Sequence, residues 1–90
     1  MGEQRIIFGD HARWATRRRG LDPDVVLGVV DQPEQIVAAE QGRAVCQSRL
    51  PRSSGEKEYL LRVVVERTGD QTVIVTAYRT SRIAKYWRPG

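Results

Sequence analysis

Two kinds of hydrophobic spacing divide the chain near residue 33. Before it, Val26, Val29 and Val30 fall on one helical stripe. The segment opens with Asp22-Pro23-Asp24, which supplies a capping acid, a proline suited to the first helical position and a second acid at the positive helix end. This predicts a helix over 23–31, ended before Pro33. An earlier helix is predicted over 11–19, with Asp10 as its cap and Gly20 just past its end. It offers only Trp14 and Ala15 as apolar positions beside His11 and Arg18, so the second helix should be the better buried. Arg5-Ile6-Ile7-Phe8 reads as a short strand.

From Glu34 onward the pattern becomes β-type. Gln35 to Ala39 and Ala44 to Ser48 flank a Gln41-Gly42 turn and predict a hairpin. The stretch from Pro51 to Lys57 has turn formers and charge but no apolar period, which predicts a mobile loop. Two stronger strands flank Thr68-Gly69-Asp70. The first, Glu58 to Glu66, is apolar on both faces, as a central strand should be. In the second, Gln71 to Arg79, Val73, Val75 and Ala77 alternate with Thr72, Ile74, Thr76 and Tyr78. Thr80 or Ser81 suits the cap of a final short helix carrying Ile83, Tyr86 and Trp87. The sum is one α+β domain over residues 1–90: two N-terminal helices packed on a twisted four- to five-stranded antiparallel sheet, closed by a short C-terminal helix.

Composition narrows the function classes. A chain of 90 residues buries roughly 60–65% of its unfolded surface, enough for a core one layer deep. No apolar run approaches a membrane span and no signal segment opens the sequence, so a cytoplasmic protein without membrane contact is expected. One cysteine and one histidine supply neither an internal disulfide nor a thiolate–imidazole zinc site, and no metal or other cofactor is expected. The net charge is +4, and nearly all the basic residues are arginine, the forked cation suited to phosphate. Residues 21–42 hold Asp22, Asp24, Asp31, Glu34 and Glu40 without a basic residue, whereas residues 71–90 hold Arg79, Arg82, Lys85 and Arg88 without an acid. If the two basic ends meet in space they form a positive surface for a polyanion; otherwise the charges are solvated singly.

Several segments carry a resemblance. His11-Ala12, Arg19-Gly20-Leu21 before an acidic Val-rich helix, Pro33 to Val37, Tyr59 to Val64, and above all Tyr78-Arg79-Thr80-Ser81-Arg82-Ile83-Ala84-Lys85-Tyr86-Trp87 resemble a small bacterial domain family of unknown function. That family is similar to BrnT and, more distantly, to the RelE and ParE toxins. The likeness covers nearly the whole chain. It departs at Ala15-Thr16, where relatives carry an Arg or similar polar residue followed by Met, so a basic group of helix one is missing or displaced to Arg17 or Arg18. The resemblance implies a RelE/BrnT-like fold and a toxin-like, metal-independent endoribonuclease acting on RNA, on or off the ribosome, held in check by a cognate antitoxin.

Such cleavage needs a proton acceptor for the 2′-hydroxyl, a donor for the leaving oxygen, and cations against the phosphate. His11 is the one side chain that ordinarily titrates near neutrality, and the first turn of a helix favours its proton-accepting form; the plainer role is a surface or packing residue. Arg62 and Arg79 form a phosphate clamp if strand register brings them together, while Arg62 could instead pair with Glu58 or Glu66. Tyr78, Tyr86 and Trp87, interleaved with Arg79, Arg82, Lys85 and Arg88, suit base stacking and phosphate contact, or else Ile83, Tyr86 and Trp87 simply dock the last helix. By the resemblance, Lys85 supplies a proton or charge and Tyr86 orients the phosphate or protonates the leaving oxygen. Arg17-Arg18-Arg19 could bind RNA, the ribosome or an acidic antitoxin, or stabilise the helix C-terminus locally. Cys46 reads as a small inward hydrophobe. The alternatives to an enzyme are a non-catalytic RNA- or protein-binding module of the same fold and a structural domain whose Val-rich and aromatic surfaces form a homodimer or receive a partner strand on an exposed sheet edge.

Overall fold

A computed structural model of the chain describes residues 5–51 and 57–89. The elements are β1 (Arg5–Phe8), α1 (Asp10–Arg18), α2 (Pro23–Asp31), β2 (Gln35–Ala38), a 3-10 turn (Glu40–Gly42), β3 (Arg43–Leu50), β4 (Tyr59–Thr68), β5 (Gln71–Thr80) and α3 (Ile83–Tyr86). Residues 52–56, most of the expected mobile loop, lie outside the described residues. The architecture is α+β: helices packed on a five-stranded sheet of order β1-β5-β4-β3-β2. Four strands pair antiparallel as expected, while β1 joins β5 in parallel, so the sheet is mixed.

Local chemistry explains most boundaries. The first helix begins one residue earlier than expected: Gly9 is its N-cap, and Asp10 sits inside the first turn, placing its carboxylate at the positive helix end. Its C-terminus is a Schellman motif. Gly20 takes a left-handed φ of 67°, its N–H donates to the Arg17 carbonyl, and the Leu21 N–H donates to the Thr16 carbonyl at 2.9 Å. Asp22 caps α2 by accepting from the Asp24 N–H at 2.9 Å, with Pro23 at the first helical position. Gly69, with φ 59°, opens the two-residue turn between β4 and β5. Neither Thr80 nor Ser81 caps α3; Arg82 holds that position, and the Thr80 hydroxyl accepts the Arg82 N–H to shape the turn into the helix.

The main core lies between the two long helices and one sheet face. Val26, Val29 and Val30 from α2 meet Cys46, Leu61, Val63, Val65, Ile74 and Ala77. As expected for a central strand, β4 buries both faces: Leu60, Leu61, Val63 and Val65 are each at most 1% exposed. The strict alternation expected in β5 does not hold. A β-bulge opposite Val64/Val65 leaves Val75 without a register partner, so both Ile74 and Ala77 face the helices. Helix one packs through Ala12, Ala15 and Thr16, small residues that let it approach β5 closely, and turns Trp14 outward at 56% exposure. Trp14 is therefore a surface residue rather than part of the apolar stripe. Cys46 is fully buried, and that burial pushes its thiol up.

Two side chains cap sheet edges. The pairing with β1 ends at Ile74, and beyond it Arg19 donates to the Ala77 carbonyl at 2.8 Å and the Thr76 hydroxyl at 3.0 Å. At the other end, β3 runs past its pairing with β2, and the Glu34 carboxylate accepts the Arg49 N–H at 2.7 Å. The Arg49 guanidinium returns to the same carboxylate at 3.1 Å and also lies 4.1 Å over the Trp87 ring. Hydrogen bonds from Arg49 hold the Glu34 carboxyl below its usual range. A carboxyl lowered by folding stabilises the native state above its unfolded range and loses that contribution as pH falls through its folded range. Glu34→Gln should therefore flatten the acid limb of stability, reducing the difference between urea midpoints at neutral and acidic pH; an unchanged difference would show that the contact is energetically idle.

Candidate RNA-binding face

Strand register decides which side chains can meet. Arg62 pairs across the ladder with Gln47 on one side and Tyr78 on the other, so all three project from the face opposite the helices. Val45 and Leu60 share that face; both are buried, yet stand outside the helix-side core. The chain after β5 crosses this face. The Arg88 N–H donates to Gln35 Oε1 at 3.1 Å, and Gln35 Nε2 donates to the Arg88 carbonyl at 2.6 Å.

Gln47 ties the layers together. Fully buried, it accepts from Arg62 Nε at 2.9 Å through Oε1 and donates through Nε2 to Gln35 Oε1 at 2.8 Å and the Tyr86 carbonyl at 3.2 Å. Arg62 also donates through Nη1 to the Tyr78 hydroxyl, and its guanidinium lies 4.1 Å from the Tyr86 ring centroid. The ring face stabilises this half-buried cation, by about 0.5–2 kcal/mol in general. Lys85 Nζ stands 5.3 Å over the same ring. Neither Glu58 nor Glu66 pairs with Arg62: among the described residues, Arg43 meets Glu66 at 3.8 Å and Arg49 meets Glu34, and no other ion pair forms. Positive charge thus collects here against amide and aromatic partners, with no carboxylate among the described residues paired to Arg62.

Of the five residues proposed for chemistry, Arg62, Lys85 and Tyr86 come together. Arg79 does not. It pairs with Leu61, one step along β5 from Tyr78, and so projects from the helix face, 5.9 Å over the Tyr59 ring. The expected Arg62–Arg79 clamp is excluded by this parity. His11 is exposed on α1, also on the helix side, with its ring 5.8 Å from that of Trp14. The Arg62 guanidinium and the His11 imidazole therefore lie on opposite sides of the sheet.

The residues assigned to RNA contact divide in the same way. Tyr78 belongs to the Arg62 cluster, and the exposed Arg82 and Arg88 flank α3. Arg17 and Arg18 are exposed on α1, where Arg18 lies 5.2 Å over the Trp14 ring, while Arg19 is spent on the β5 edge. The two basic ends meet only along β5. The N-terminal elements lie beside β5, whereas the C-terminal segment runs across to β2 at the opposite edge.

Sequence reasoning passed over Gln47 and Gln35. The available signal was their shared alternation: each is a polar residue in step with Val45 or Val37, on a face that only a covering segment could bury. Among the described residues no group of His, Cys, Asp and Glu is arranged to hold a metal, and no helix is long and apolar enough to cross a membrane. Compared with known proteins, the chain matches no family model, no curated protein and no solved structure, so the likeness to BrnT and the RelE and ParE toxins rests on the quoted residues alone.

Proposed function

We propose that this domain is a binding module for single-stranded RNA, using the face built from Arg62, Tyr78, Tyr86 and Lys85 with Arg82 and Arg88 at its margin. The observation that carries the reading is the Arg62 guanidinium, half-buried between tyrosines and free of any carboxylate among the described residues. A cation in that setting attracts phosphate more strongly than a solvated one, since less water and no counter-charge screens it. The tyrosine rings and Trp87 give bases flat surfaces to stack on, and base–aromatic contacts contribute about 1–3 kcal/mol each. With His11 on the other side of the sheet, the cluster has donors and cations but lacks an imidazole to take the 2′-hydroxyl proton, which favours binding over cleavage.

Fluorescence anisotropy with a labelled single-stranded oligoribonucleotide tests the reading. Affinity should fall linearly with the logarithm of salt concentration, with a slope of about −0.7 for each phosphate neutralised. Absence of binding at low salt, or self-association that ignores salt, would instead favour a structural homodimer.

Metal-independent cleavage is the second reading, favoured by Lys85 and Tyr86 standing together beside Arg62. It requires that the purified protein cut RNA in chelator and that Tyr86→Phe abolish the cut while sparing affinity. RNA left whole under those conditions, with and without ribosomes, removes the enzyme and leaves the binder.

A further inference from the structure

On the helix side of the sheet, a groove of about 440 Å³ opens between α1, the turn into α2 and the end of β1. That volume lies within the range of small-molecule sites. Phe8, Leu21 and Pro23 supply apolar lining, while Arg13 and Arg17, one helical turn apart, stand on the α1 side. Asp22 lines the opposite, loop side. The walls are held in place by bonds already described: the Gly20–Leu21 Schellman turn and the Asp22 cap fix the loop. Arg13 Nε donates to the Phe8 carbonyl at 3.3 Å, with its guanidinium carbon 5.5 Å over the Phe8 ring.

Asp22 is the one acid in these walls, and it forms no ion pair with either arginine. Neither arginine forms an ion pair among the described residues, and Arg17 has no side-chain hydrogen bond there. Two forked cations beside an apolar slot match a phosphate attached to a flat body. The acid across the slot repels a second phosphate and can accept an N–H, which favours a compact ligand with one anionic end and one donor end over an extended polyanion.

We propose that this groove binds a nucleoside monophosphate, with the phosphate on Arg13 and Arg17 and the base against Phe8, Leu21 and Pro23. The site lies on the other side of the sheet from the Arg62 cluster and stands or falls independently of RNA binding there.

The test is an amide-resolved NMR titration of the full chain with adenosine 5′-monophosphate, adenosine, ribose 5-phosphate, inorganic phosphate and an oligo-glutamate peptide. The monophosphate should shift the amides of residues 17–22 saturably, with a Kd of about 0.1–1 mM, and adenosine or ribose 5-phosphate should bind at least about tenfold more weakly. Because the Arg17 side chain is exposed and unpaired, Arg17→Gln should keep the dispersed spectrum and raise the Kd about tenfold. The proposal is overturned if the monophosphate shifts nothing there, if its shifts map to Tyr78 and Tyr86, if phosphate or the acidic peptide binds these amides equally well, or if Arg17→Gln changes nothing.

Discussion

Replacing Gln47 by leucine should destabilise the fold by about 2–4 kcal/mol, although leucine is apolar, similar in size and placed in a fully buried position. The loss comes from the groups left behind. Arg62 Nε loses its acceptor and the Tyr86 carbonyl loses its donor, while Gln35 Oε1 keeps only the Arg88 N–H. A buried polar group stripped of its partner costs about 1–3 kcal/mol, more when it is charged. The damage should be local before it is global, because the Gln47 contacts help hold the segment after β5 to the sheet. Trp87, seated on Arg49, reports this directly once the exposed Trp14 is replaced by Phe. Its fluorescence should change at lower urea than the circular dichroism of the sheet. Coincident transitions at the wild-type midpoint would mean that the Gln47 network contributes little.

The same network shows where the sequence is readable and where it is not. Signals acting within a few residues were legible: Gly20 ends α1, Asp22 and Pro23 start α2, and the double-faced apolar run of β4 places it in the middle of the sheet. Features set by distant partners were not. Nothing local to Arg5–Phe8 tells that strand to lie parallel to β5, which depends on how α1 packs back across the sheet. The bulge at Val75 is invisible to a period of two, and it decides that Ile74 and Ala77 face the same core. For the candidate site, residue types were a better guide than their assembly. Arg62, Lys85 and Tyr86 do gather, but Arg79 is one residue out of step with Tyr78, and a single step in a strand turns a side chain to the other face. The return of the chain end over Gln35 and Gln47 rests on amide-to-carbonyl bonds across more than thirty positions, beyond any spacing rule.

That one-step offset supplies the sharpest functional comparison. Arg62→Gln removes a guanidinium from the face proposed to hold RNA, and Arg79→Gln removes one from the neighbouring strand, one residue beyond the Arg62 partner Tyr78, on the opposite face. Both changes lower the net charge equally, so a mere long-range attraction between a basic protein and RNA would weaken by the same amount in each. A real site would not. Arg62→Gln should raise the Kd by at least about tenfold and reduce the slope of log affinity against log salt by about one contact, whereas Arg79→Gln should leave the slope unchanged. Since Arg62 also supports Gln47 and Tyr78, an Arg62→Lys variant separates the two roles. It keeps the charge but loses the fork, so it should retain most of the salt slope while losing part of the stability. Equal weakening by the Arg62→Gln and Arg79→Gln variants would mean that RNA responds to overall charge alone, and the cluster of Arg62, Tyr78 and Tyr86 would then be a device for fastening the end of the chain to the sheet.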